Sequence, residues 1–179
     1  MKKKTIVYNF YGGPGIGKTT TAIKLYALLK SHYKQGELIH EFVKDWIWED
    51  RKILDTDQIY ILANQHRKER LLYGQVDFII TDSPMWLVPI YEKELSSPPF
   101  ITKQIIDKYL KASPEVEHVH ILLERFFPYD PVGRHQTEKE AIELDNKIKQ
   151  FLIENNMKYE TFPAKENCEL DIAKKLKLI

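Results

Sequence analysis

A single cysteine, Cys168, stands among 179 residues, so the chain has no internal disulfide open to it, and cysteine and histidine nowhere recur at the spacing of a zinc site. A reducing, cytoplasmic setting is expected. No run approaches the roughly 18 apolar residues that a membrane span needs. The apolar stretch behind the basic Met1–Lys4 start is too short for a signal peptide and runs directly into glycines. A soluble protein with no membrane partner is expected. An excess of either charge is lacking too, with 27 basic residues against 26 acidic ones, so any basic surface must be local. There is no internal repeat, linker or low-complexity segment. The length suits one buried core, and a single domain over residues 1–179 is expected.

What is present is an alternation of short apolar runs with amphipathic stretches. Thr5–Phe10 (TIVYNF), Leu38–Val43, Val76–Ile80 (VDFII), His118–Leu123 (HVHILL) and Lys158–Phe162 read as strands. Between and after them, helices are expected over Lys18–Lys30, Asp55–Leu72, Phe100–Ala112, a segment starting at Thr137, and Glu169–Leu178. In the first of these Ile23, Leu25 or Tyr26, and Leu29 hold helical spacing, and Gly36 marks a break; Ile59, Ile61 or Leu62, Gln65 or His66, and Leu71 do so in the second. Thr137 with Glu140 has the spacing of a capping box. The pattern predicts an α/β fold, a parallel five-stranded sheet with helices on both faces and binding groups at the carboxyl ends of the strands.

Gly12-Gly13-Pro14-Gly15-Ile16-Gly17-Lys18-Thr19 matches G-x-x-x-x-G-K-[ST] and lies between a predicted strand and a predicted helix. Glycines let successive backbone N–H groups turn inward around a phosphate, and the following helix points its positive end at the same anion. Residues Gly12 to Thr20 are therefore candidate ATP-binding residues. Lys18 would follow charge on the transferred phosphoryl group, and Thr19 would give its hydroxyl to Mg2+. A glycine turn that merely joins strand to helix is the plainer alternative. Asp82 ends the VDFII run, where an acid reaches the magnesium shell or caps the next helix.

A phosphate loop alone does not separate kinases from switches and motors. The stretch Glu124–Gln136 does so better: it holds Arg125 and Arg134 in a Pro- and Gly-rich loop, the position of a lid whose arginines close over a triphosphate. Both arginines are candidates for stabilising transition-state charge, against a reading as solvated loop residues. No N-K-x-D element specifies guanine.

Taken with EFVKDWIWED, NQHRKERL, TDSP and PYDPVGR, the GGPGIGKTT segment resembles the small P-loop kinases of the nucleoside, nucleotide and ribosylnicotinamide kinase group, in particular compact phage-encoded members. The resemblance covers nearly the whole chain and implies an ATP-dependent kinase acting on the hydroxyl of a nucleoside-type acceptor, free or within DNA. In that group an acid after the second strand takes the acceptor proton and a nearby tryptophan packs at the substrate; Glu41, Asp45 and Trp46 match loosely. The sequence departs from the group's D-R-S-type motif, reading Asp82-Ser83-Pro84. Phage relatives include kinases of 5-hydroxymethyluracil within DNA, and that 5-hydroxymethyl group is the sharpest expectation for the acceptor. The alternatives are a nucleoside, a nucleoside monophosphate or ribosylnicotinamide, and, from another class, a non-kinase ATPase.

Glu41 and Asp45 lie four apart and would share a helical face if a helix began early enough. A solvated acidic face is the bland reading. Trp46 and Trp48 suit stacking on a base or packing beneath a lid. Gln65 and Arg67 suit a pyrimidine edge and a phosphate, and Ser83 joins them as an acceptor-side candidate. Lys44, Arg51, Lys52, Arg67, Lys68 and Arg70 would give a local basic rim suited to a polyanion. His66, His118, His120 and His135 lack ligand spacing and read as structural. Lys165–Cys168, after the last strand, is a weak candidate for contact with adenine.

Overall fold

The computed structural model describes residues 3–54, 56–95, 101–130, 132 and 136–179, with the side chains of 93–95 outside the description. Its five strands are β1 (Thr5–Tyr11), β2 (Gly36–Ile39), β3 (Phe78–Thr81), β4 (Val116–Glu124) and β5 (Tyr159–Pro163). They form one parallel sheet in the order β2-β3-β1-β4-β5. β1 lies in the middle, buried on both faces, which is why TIVYNFY is apolar almost without alternation.

Helices cover both faces. On one, Tyr8, Phe10, Ile80 and Ile121 pack against Ala22, Leu25 and Leu29 of α1 (Lys18–Ser31) and Ile172 of α7 (Cys168–Lys175). On the other, Tyr11 and Leu122 meet α3 (Asp57–Arg70), α4 (Leu87–Leu95), α5 (Ile101–Lys111) and α6 (Glu138–Glu154) through Leu62, Ile90, Ile106 and Ile148. A short α2 (Lys44–Trp48) precedes α3. Cys168 is buried and free. Among the described residues no helix is long and apolar enough to cross a membrane. The architecture is the expected single-domain α/β fold with five parallel strands.

Several local expectations are corrected. β2 begins at Gly36, read as a break, and ends at Ile39 instead of continuing to Val43. Gly36 is required there because the Phe78 ring lies 2.4 Å from where a Cβ would stand. Its pairing with β3 ends at Ile39 and Thr81, and beyond that point the Glu41 N–H donates to the Asp82 carboxylate. α4 escaped the sequence reading because Pro84 and Pro89 suggest a break; Pro89 falls in the first turn, where no intrahelical N–H bond is lost. Along α3 the buried face is Gln58, Ile61, Leu62, Gln65 and Glu69, while Ile59 and Leu71 are exposed; on α1, Ile23 is exposed. The capping box holds: Thr137 accepts from the Glu140 N–H, and the Glu140 carboxylate accepts from the Thr137 N–H.

Candidate functional site

β1 delivers the chain to Gly12 at the carboxyl edge of the sheet, and α1 leaves from Gly17. Gly12, Gly15 and Gly17 have φ of 142°, 76° and 99°, so the turn that aims backbone N–H groups inward is built on conformations L side chains rarely adopt. At Gly13 the constraint is space: an added Cβ would stand 2.6 Å from the Ala141 carbonyl and from Asp145 Oδ1. Ile16 is 4% exposed and its side chain anchors the loop in the core, which leaves its backbone as the part suited to a phosphate. Lys18 folds back over the loop, its Nζ donating to the carbonyls of Gly12 (2.6 Å) and Gly13 (3.0 Å). Pro14 and Thr19 are half-buried and Thr20 exposed, at the head of α1.

Asp82 follows β3 and is 3% exposed. Its Oδ1 accepts from the Glu41 N–H at 3.0 Å and its Oδ2 lies 4.0 Å from His40 Nδ1, so it ties the ends of β2 and β3 together. Glu41 is brought beside Asp82, half-buried. Asp45 is not brought with it on a shared helical face: α2 starts at Lys44, after Glu41, and Asp45 is exposed. Tyr91 of α4 has its hydroxyl held well above the usual phenol range by burial and by the carboxylates of Glu41 and Asp145.

Arg125 is not a solvated lid residue. Its side chain is 15% exposed, its Nε (3.0 Å) and Nη2 (2.8 Å) both reach Asp145 Oδ2, and Nη2 also donates to the Pro14 carbonyl at 3.0 Å. Asp145 Oδ1 accepts from the Gly13 N–H at 2.5 Å. Asp145 went unnoticed in the sequence because its partners lie 20 and 132 residues away and no spacing reports them. Arg134 lies outside the described residues, as does His135.

The acceptor-side candidates fare differently. Trp46 is 8% exposed, stacked on Tyr60 and with the Arg51 guanidinium 3.7 Å from its ring centre, so it packs within the protein. Gln65 is 1% exposed and gives its Nε2 to Glu69 (3.2 Å) and Thr81 (3.1 Å). It belongs to a buried chain in which Tyr73 donates to Glu69 and the Ser83 N–H to Thr81 Oγ1. Burial pushes the Glu69 carboxyl up to about 7, against the opposing pull of its bonds from Gln65 and Tyr73. Arg67 is exposed on the outer face of α3, away from this chain. His118 and His120 set Nδ1 against Asn9 Nδ2 (3.3 Å) and the Tyr11 hydroxyl (2.9 Å), respectively.

A cleft of about 260 Å³ opens on the other side of the loop, lined by Gly17, Thr20, Lys24, Phe127, Lys165 and Glu166 among others. It brings the segment after β5 to the phosphate loop. Among the described residues no group of three or more acidic, histidine or cysteine side chains forms a metal cluster. A threonine hydroxyl and one carboxylate are hard oxygen donors of the kind Mg2+ uses alongside substrate phosphates.

Residues 7–169 match the AAA domain family, and the chain belongs to it. No curated protein matches the sequence. Thymidylate kinase from Ehrlichia chaffeensis has a similar structure, with a TM-score of 0.66 and 14% identity over 97% of this chain and 99% of that one. Deoxyadenosine kinase from M. mycoides, with the products dCMP and dCDP bound, is similar at TM-score 0.65 and 17% identity over 97% and 100%. NadR protein in complex with NR reaches TM-score 0.70 at 14% identity, over 97% of this chain but only 51% of the NadR chain. At these identities the likeness is one of fold, a P-loop kinase-like fold.

Proposed function

We propose that this protein is an ATP- and Mg2+-dependent kinase that transfers the γ-phosphate to a hydroxyl of a nucleoside or nucleoside monophosphate. The observation that carries the reading is the placement of the glycine loop, Lys18, Asp82 and Glu41 along one edge of the sheet. Loop N–H groups and Lys18 hold the triphosphate, with the base in the cleft beside Phe127 and Lys165. Thr19 and Asp82 would hold the metal, which when bound neutralises phosphate charge. Glu41, fixed through its own N–H on Asp82, is the carboxylate suited to receive the acceptor proton late in transfer. Gln65, Trp46 and Ser83 support the acceptor side from beneath by holding its walls, Arg67 flanks it on the surface, and Arg125 supplies positive charge at the loop, a role proposed for Arg134 as well.

Two of the similar structures are a thymidylate kinase and a deoxyadenosine kinase, which favours a free acceptor over the 5-hydroxymethyl group of hydroxymethyluracil in DNA. The test is transfer of label from γ-labelled ATP across nucleosides, nucleoside monophosphates, ribosylnicotinamide and hydroxymethyluracil DNA. Label in a free nucleoside or nucleotide supports the proposal. Label only in DNA would move the acceptor there, and ATP hydrolysis with no labelled acceptor would overturn the kinase reading.

A further inference from the structure

One carboxylate joins two parts of the site that the chain supplies separately. Asp145, in the middle of α6, spends Oδ1 on the N–H of Gly13 and Oδ2 on Nε and Nη2 of Arg125, while Arg125 also holds the Pro14 carbonyl. The contacts close a ring through Gly13, Pro14, Arg125 and Asp145. Both partners of the ion pair are largely buried, 15% and 21% exposed, so these are charge-assisted bonds poorly screened by solvent. The space is committed as well, since a Cβ on Gly13 would run into Asp145 and Ala141. Arg125 Nη1 is buried with no hydrogen-bond partner among the described residues, so the guanidinium keeps donors in reserve while its other nitrogens are fixed.

We propose that Asp145 is a positioning residue for nucleotide binding: it locks the opening turn of the phosphate loop to Arg125, presetting the loop and aligning the arginine before a nucleotide arrives. The proposal rests on the loop being the nucleotide site. A carboxylate fits this task because it accepts on two edges at once and balances the arginine charge. Asparagine at the position would either keep the bond from Gly13 and turn its amide donor against the guanidinium, or offer the guanidinium a neutral oxygen and lose the bond from Gly13.

The experiment is titration calorimetry with ADP, independent of any acceptor, on the wild type, Asp145→Asn, Arg125→Ala and the double variant, with melting temperatures measured in parallel. Asp145→Asn is expected to weaken ADP binding about tenfold at a temperature where it is fully folded, and to add little once Arg125 is gone. Equal losses in both backgrounds, or a lower melting temperature with unchanged ADP affinity, would reduce Asp145 to a structural role and overturn the proposal. A wild type that binds no nucleotide would overturn it together with the site assignment, whereas wild-type binding untouched by Asp145→Asn overturns it alone. Should Asp145→Asn not fold, Arg125→Lys carries the test. It keeps the charge but cannot place two donors on one oxygen, so weakened ADP binding supports the proposal and undiminished binding overturns it.

Discussion

Asp82 and Glu41 are joined by a 3.0 Å hydrogen bond from the backbone of one to the carboxylate of the other, across 41 residues of chain. The acid at the end of β3 therefore sets where the acid after β2 stands. This gives Asp82 two separable duties, holding that backbone and carrying negative charge.

Asp82→Asn retains an oxygen for the Glu41 N–H but loses the charge. It is expected to abolish turnover with little change in stability, whereas Asp82→Ala should in addition lose about 1.5–3 kcal/mol with the hydrogen bond to a charged group. Turnover assays and urea midpoints on both variants check this. An Asp82→Asn enzyme as active as the wild type would remove Asp82 from the chemistry.

Lys18→Ala should eliminate turnover and leave the fold intact, because the Gly12 and Gly13 carbonyls to which Lys18 donates can also be satisfied by water. Retention of more than about a tenth of wild-type kcat, that is, a barrier raised by less than about 1.4 kcal/mol, contradicts the role given to Lys18.

Gly13→Ala should destabilise the protein by about 1–3 kcal/mol through overpacking against α6. The urea midpoint reports it, and an unchanged midpoint would mean that the loop and α6 separate freely.

Buried ionisable groups set the pH dependence of stability. Burial, with the neighbouring His120 adding to it at His118, lowers both histidines from 6.5 to about 4. The unfolded chain thus binds more protons between those values, and stability falls as pH drops through that window. Glu69, raised by burial from 4.5 to about 7, acts oppositely: its contribution is full below 4.5 and is lost as pH rises through 7. Two histidines outweigh one glutamate below about pH 6.5, and Glu69 alone acts above it, so stability should peak near there. Thermal melts from pH 5 to 8, on a scale of about 1.4 kcal/mol per pKa unit, should show a falling upper limb that Glu69→Gln flattens. A variant that loses stability above pH 6.5 as the wild type does would count against this account.

The parts of the site that sequence revealed are those built locally. The glycine loop is legible because its positive φ values need glycine at fixed positions, and α6 because Thr137 and Glu140 satisfy each other three residues apart. Gln65 was placed on the correct helix but facing a ligand, since nothing local shows that Glu69 and Thr81 wait for its amide in the interior. Asp145 carries no local mark, because its partners come from other elements. Trp46 and Arg51 were read separately, one as a ring for base stacking or packing and the other as part of a basic rim; folding turns them onto each other.

The division of helices between the two faces of the sheet has a consequence for how this chain can vary. The cleft proposed for the nucleotide base is walled by α1 and the turn into α7, whereas Leu62 of α3 and Tyr91 of α4 belong to the opposite layer. On that proposal the strands form a partition between the donor and acceptor sides, met at their carboxyl edge by the glycine loop and Asp82. On the proposed function, substitutions in α3 and α4 would retune the acceptor while the donor wall stays as it is, so that one scaffold could take up new acceptors without relearning how to hold its phosphate source.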